Sequence, residues 1–209
     1  MKVIAINGSP RKSGNTYHAI RMVLDELEKE GIETEIIQVG NKPIRSCIAC
    51  GMCREKPGIC HAFKDDGVNE TLEKMKEADG ILLASPVHYA GITGAMKCFC
   101  DRLFYVGTAA EGIITQKVGA ALVAVRRGGG TTALDILDKY IKYGEMLIPS
   151  SNYWAVIHGR EPGEVELDEE GKQIMRRLGK NMVWALKMRQ AHLDEAPERE
   201  PKIAMNFIR

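Results

Sequence analysis

The sequence predicts an α/β chain, a doubly wound five-stranded parallel sheet with helices on both faces. Three observations carry this. Short runs rich in Val, Ile, Leu and Ala alternate with longer stretches whose apolar residues fall at three- and four-residue steps. A small, hydroxyl-rich loop, Gly8-Ser9-Pro10-Arg11-Lys12-Ser13-Gly14-Asn15-Thr16, separates the first apolar run from the first helical pattern. The chain has 209 residues, 44% of them hydrophobic, and no linker-like composition divides it, so one core is expected.

Taken in order, the strands are expected at Lys2 to Asn7, Ile32 to Val39, Gly80 to Ser85, Lys117 to Val125 and roughly Asn152 to Ile157. Helical periodicity covers Thr16 to Glu30, Gly67 to Ala78, Ala90 to Tyr105, Thr131 to Tyr143 and Glu169 to Met188. Trp184 falls on the apolar stripe of the last helix and reads as core. One domain spans residues 1–190 and carries a cysteine-rich insertion at 43–66. The tail, 191–209, has two prolines and alternating charge, and reads as a free end or as an arm gripping a partner subunit. In a sheet of this class a ligand sits beyond the carboxyl ends of the strands, so the loops after strands one, three and four should form the site.

Composition excludes several classes. With 29 basic and 28 acidic residues the net charge is +1, which gives no field to recruit nucleic acid or an anionic membrane. No apolar stretch reaches membrane-spanning length, and the start is too short for a secretory h-region, so a cytoplasmic protein is expected. In a reducing compartment the six cysteines are expected as thiols or metal ligands rather than disulfides.

The loop after strand one lets backbone N–H groups converge at a helix N-terminus, where the dipole favours a phosphate, and Arg11 adds a forked cation. Asn15 stands where a nucleoside triphosphatase loop needs lysine, and the glycine spacing is not that of a dinucleotide fold. Ser9, Arg11, Ser13, Asn15 and Thr16 are the candidate phosphate ligands; an ordinary turn capped by Ser13 or Asn15 is the alternative. After strand three, Pro86, Val87, His88, Tyr89 and Gly91 combine a rigid proline, an aromatic and bare backbone, which suits a flat ring such as an isoalloxazine. After strand four, Arg126, Arg127 and Gly128 place fixed positive charge at the same edge, fit for a reduced anionic flavin or a second ligand. Cys47, Cys50, Cys53 and Cys60 lie within one short stretch, and their gaps let successive thiolates turn toward one iron–sulfur centre. Zinc and bare thiols remain open, zinc with the less fitting spacing. Cys98 and Cys100 read as packing residues of the helix after strand three.

Gly8-Ser9-Pro10-Arg11 through Gly14-Asn15-Thr16, with Ser85-Pro86-Val87, Met96-Lys97 and Asp101-Arg102, resembles the flavodoxin-like NAD(P)H-dependent FMN reductases. The cysteine run followed by Asp65-Asp66-Gly67 is similar to their iron-sulfur flavoprotein branch. The resemblance implies a flavodoxin-like fold and FMN, with its phosphate on Ser9, Arg11, Asn15 and Thr16 and its ring on Pro86, Val87, His88 and Tyr89. It further implies NAD(P)H as reductant, a 4Fe-4S cluster on the four cysteines, and a homodimer or homotetramer in which a neighbour contributes the cluster near one subunit's FMN. The expected activity is electron transfer from reduced nicotinamide to a quinone-like acceptor or, through the cluster, to a redox partner. No side chain is named as acid or base. A non-enzymatic electron carrier and a redox-sensing flavin module are the other classes considered.

Overall fold

The computed structural model describes residues 1–200 together with Ile203, Met205 and Phe207. The strands are β1 (Lys2–Asn7), β2 (Glu33–Gln38), β3 (Gly80–Pro86), β4 (Val118–Val125) and β5 (Val156–His158). All pair in parallel in the order β2-β1-β3-β4-β5, the flavodoxin-like arrangement. The helices are α1 (Asn15–Glu28), α2 (Met52–Glu55), α3 (Val68–Glu77), α4 (Gly94–Gly107), α5 (Gly130–Tyr143) and α6 (Glu169–Ala191). The inner strand β4 is buried along its whole length, as is the central strand β3 up to Pro86, which is why they read as unbroken apolar runs.

Helices α1 and α6 pack together on one face. Their approach is close enough that a Cβ at Gly179 would sit 2.6 Å from the Val23 carbonyl oxygen, so a side chain there would push the helices apart. On the other face α3 contacts α4, and α4 meets α5 through Phe104 and Tyr140, ring centroids 5.4 Å apart. Helix α1 buries Ala19, Ile20, Val23, Leu24 and Leu27, the i, i+3, i+4 stripe that its periodicity predicts. Lys117 is buried just before β4, and its ammonium donates to the carbonyls of Met75 and Lys76, closing the C-terminus of α3.

Several expectations are corrected. Helix α4 begins at Gly94, not Ala90, because Tyr89 and Ala90 take left-handed backbone angles (φ 48° and 59°) and Thr93 caps the helix by accepting from Met96 N. The last strand starts at Val156 rather than near Asn152. The chain first touches β4 at Leu147, whose N–H reaches the Lys117 carbonyl at 2.9 Å, then leaves the ladder around Pro149, which has no N–H to donate, and returns at Val156. The one-turn helix α2 inside the cysteine run was not expected. Trp184 is not core: it is 65% exposed.

The proximal tail packs on its own chain, Gln116 Nε2 donating to the Pro197 carbonyl at 2.6 Å and Arg199 to that of Thr108 at 2.7 Å. The expectation of a free end or gripping arm also covers residues 201, 202, 204, 206, 208 and 209, which lie outside the described residues. Among the described residues no helix is long and apolar enough to cross a membrane.

Candidate functional site

The site is built at the carboxyl edge of the sheet, where register puts Asn7 beside Ala84 and Pro86 beside Ala124. The first loop is fixed by its neighbours. Gly8 N donates to the Ala84 carbonyl at 2.8 Å, Ser9 N to Asn7 Oδ1 at 3.1 Å, and Gln38 Nε2 to the Ser9 carbonyl at 2.5 Å. Asn7 Nδ2 in turn donates to Gln38 Oε1 at 2.8 Å. Ser9 is buried and its hydroxyl accepts from Arg11 N at 3.1 Å, which bends the loop toward the start of α1.

Gly14 is the N-cap of α1, in extended conformation and without a side-chain cap, so neither Ser13 nor Asn15 plays the capping part. Asn15 Oδ1 accepts from Gly163 N at 2.8 Å instead, tying the loop after β5 to the site. Tyr17 N and His18 N both donate to the Gly14 carbonyl, at 2.9 and 3.3 Å, which leaves the N–H groups of Asn15 and Thr16 as the ones the first turn of α1 does not satisfy. Beside them Thr16 Oγ1 is, among the described residues, the buried side-chain oxygen or nitrogen with no hydrogen-bond partner. A buried hydroxyl left unsatisfied costs about 1–3 kcal/mol. Its place at a helix N-terminus fits an anionic ligand that accepts from it, and a phosphate meets that need.

The loop after β3 turns back on itself. His88 N donates to the Gly91 carbonyl at 2.8 Å and Gly91 N to that of His88 at 2.9 Å, with both central residues left-handed. That turn type favours glycine or asparagine, so a Tyr-Ala pair there is strained by about 1–2 kcal/mol per residue. The turn leaves Tyr89 fully exposed, with His88 also exposed, while Pro86, Val87 and Gly91 are half-buried. Thr93 locks this loop to the first: its hydroxyl donates to the Gly8 carbonyl at 2.7 Å, and its N–H reaches Ser85 Oγ at 3.2 Å. The loop after β4 joins them at Gly129, whose φ is 85° and where a Cβ would lie 2.7 Å from Ala90 Cα. Arg126, Arg127 and Gly128 are exposed at that edge. The three predicted loops thus meet. Of the residues that stitch them, Asn7, Gln38 and Thr93 were missed in the sequence as site residues, and of these Thr93, a hydroxyl three positions before Met96, carried a readable capping signal.

The cysteine loop leaves β2 and returns at α3, passing against the flank of α4. Cys47, Cys50, Cys53 and Cys60 line one cavity with Ile48, Phe63, Arg102, Tyr105 and Val106. Cys53 and Cys60 are each 8% exposed, whereas Cys47 and Cys50 face solvent. Left-handed Ala49 and Gly51 turn the chain between the first three. Asn69 clamps Cys60, accepting from its N–H at 2.7 Å and donating to its carbonyl at 3.0 Å. Burial, reinforced by the three neighbouring thiols, pushes the Cys53 thiol up, so a cation must displace its proton on binding. Among the described residues no three His, Cys, Asp or Glu side chains converge tightly enough for a single metal ion. Cys100 is fully buried and burial drives its thiol far up, which agrees with packing; Cys98 is half-buried.

The family model described as NADPH-dependent FMN reductase matches residues 1–161. This chain belongs to that family. An iron-sulfur flavoprotein of Methanocaldococcus jannaschii is 37% identical over 195 residues, which cover 90% of this chain and 98% of that protein. Among solved structures, RosB superposes with a TM-score of 0.69 at 19% identity, covering 100% of this chain and 92% of that one. A flavodoxin from the domain Archaea gives 0.58 at 18% identity, covering 90% and 99%. At such identities these two structures speak for the fold alone. Family membership makes the chain an FMN-binding oxidoreductase, and the readings as a carrier without turnover or a bare sensor module give way to it. In this FMN reductase the partnerless Thr16 hydroxyl and the open N-terminus of α1 are the observations that fit the FMN phosphate.

Proposed function

We propose that this FMN reductase takes electrons from NADH or NADPH and delivers them to a quinone-like acceptor or, by way of a 4Fe-4S cluster on Cys47, Cys50, Cys53 and Cys60, to a redox partner. When bound, FMN would accept an electron pair and release it singly or together, and the cluster would add a one-electron outlet. The observation that carries the reading is the placement of four thiols around one cavity on the flank of α4, the helix whose N-terminus closes the flavin loop. Arg102, which lines that cavity, lies eight residues past Gly94, about 12 Å along the helix axis. The spacing of the first three cysteines suits an iron–sulfur group better than zinc, whose usual signature is two pairs separated by a longer spacer.

The chain's own residues hold and orient. Ser9, Arg11, Ser13, Asn15 and Thr16 would hold the phosphate, with the N–H groups at the start of α1 and the Thr16 hydroxyl as donors and Arg11 as the cation. Pro86 to Gly91 present backbone to the ring, with Tyr89 free to stack on it. Arg126 and Arg127 bring positive charge, and Gly128 bare backbone, to the same edge, where added electrons would be stabilised. No acid–base side chain enters. A homodimer or homotetramer in the cytoplasm completes the reading, with a neighbouring subunit bringing its cluster toward the flavin.

The test is anaerobic steady-state oxidation of NADH and NADPH, with a quinone and with a one-electron protein acceptor, in wild type and in a Cys53→Ala/Cys60→Ala variant. Quinone reduction is expected to survive in the variant while transfer to the protein acceptor falls. Equal rates for both proteins with both acceptors would remove the cysteines from the electron path. Failure to oxidise either nicotinamide would remove the reductant.

A further inference from the structure

Arg102 lies two turns into α4 and is only 1% exposed. Burying a guanidinium costs several kcal/mol unless its charge and donors are met. Here they are met almost entirely by the cysteine loop. Nε points to Cys60 Sγ at 3.4 Å, one terminal nitrogen reaches the Asp66 carboxylate and the Arg45 carbonyl (the latter at 3.4 Å), and the other donates to the Phe63 carbonyl at 2.9 Å. The Phe63 ring lies 5.0 Å from the guanidinium carbon. Asp66 is the carboxylate in direct contact, at 11% side-chain exposure. Among the described residues Cys60 is the one of the four thiols that receives a charged donor, and Asn69 holds its backbone from the opposite side.

We propose that Arg102 sets the reduction potential of the iron–sulfur group through Cys60, with Asp66 as the opposing charge. This rests on the reading that the four cysteines hold such a group. A group held by four thiolates is anionic, and each electron it takes up makes it more so. A charge-assisted hydrogen bond to a ligating sulfur therefore favours the reduced form over the oxidised one, and hydrogen bonds to sulfur and local net charge are established controls of such potentials. Asp66 acts in the reverse sense, because it neutralises part of the guanidinium charge that Cys60 feels. Arg102 is thus a positioning and tuning residue reaching the group through a ligand, and the two partners have opposite signs.

The opposite signs make the test. Wild type, Arg102→Gln, Arg102→Lys and Asp66→Asn are purified anaerobically as full chains with FMN, and iron and sulfide are counted. Each is then titrated against potential, the iron–sulfur signal followed by electron paramagnetic resonance and FMN by absorbance in the same sample. Arg102→Gln is expected to shift the potential to more negative values. Arg102→Lys, which keeps the charge but loses the fork, should fall between it and wild type, and Asp66→Asn should shift to less negative values. A clamp with no electrical role would lower iron content in all three and leave the potential of the remaining group unmoved. Coincident potentials, or Arg102 and Asp66 variants moving the same way, would overturn the inference. If Arg102→Gln takes up no iron, Arg102→Lys and Asp66→Asn decide it by the same signs. Wild type without iron overturns the parent reading and this inference with it; iron with an unmoved potential overturns this inference alone.

Discussion

The loop after β1 and the cysteine loop after β2 leave neighbouring strands at the same sheet edge, yet different parts of the molecule hold them. The first loop is fastened by Asn7, Gln38 and the Ala84 carbonyl on strands and by Thr93 at the cap of α4, and among the described residues Thr16 Oγ1 is the buried side-chain polar atom left without a partner. The cysteine loop rests on side chains from helices, Arg102 and Asn69 among them, and leaves Cys47 and Cys50 in solvent. Donors carried by strands and a helix terminus exist before the ligand arrives. Thiols carried on a long irregular connection would be brought together by what they bind, and their loop would gain order from it.

That contrast can be broken in either direction. The largest expected effect is at Cys60: Cys60→Ser should abolish iron retention while FMN per chain, measured by absorbance after denaturation, stays at the wild-type level. Loss of FMN in the same variant would show the two loops to be one unit. Next is Thr16→Val, which removes the hydroxyl proposed to donate to the FMN phosphate; a hydrogen bond to a charged group is worth about 1.5–3 kcal/mol. FMN affinity by fluorescence titration should weaken by about tenfold to a hundredfold, with iron content unchanged.

Lys117, at the opposite end of the sheet, serves as a control for both loops. Burial lowers its ammonium to about 8 from an ordinary 10.5, so the unfolded chain binds the extra proton between those values. Stability should therefore rise with pH from about 8 to 10.5, on the order of 1–2 kcal/mol once screening is allowed for. Lys117→Met should lose that rise in thermal melts and keep both cofactors. The smallest effect is Ala90→Gly, which relieves a left-handed residue in the flavin turn. A gain of about 1 kcal/mol would raise Tm by about 2–4 °C.

Residues whose neighbours are dictated by local pattern were legible in the chain. Val3 to Ile6, Ile81 to Ala84 and Val118 to Val125 had to be central strands, and the small residues from Gly8 to Thr16 had to open a helix. The start of α4 was misplaced because a Tyr-Ala left-handed turn contradicts the preferences of both residues, and nothing local announces it. Strand β5 was set by what β4 still had free after pairing with Leu147, a long-range matter. Arg102 is one charged residue of a helical stretch in the sequence; it becomes a buried cation only because the loop from Arg45 to Asp66 closes over it. The grouping of the four cysteines was legible from spacing, whereas which of them would be fixed in advance was not.

The central claim is that one chain carries both a flavin and a cluster. Anaerobic purification with FMN, iron and acid-labile sulfide quantified per chain tests it most directly. The account predicts about one FMN with about four iron and four sulfide, and a broad absorption beneath the flavin bands. Stoichiometric FMN without iron, under conditions that exclude oxygen throughout, would contradict it and leave Cys47, Cys50, Cys53 and Cys60 as loop thiols.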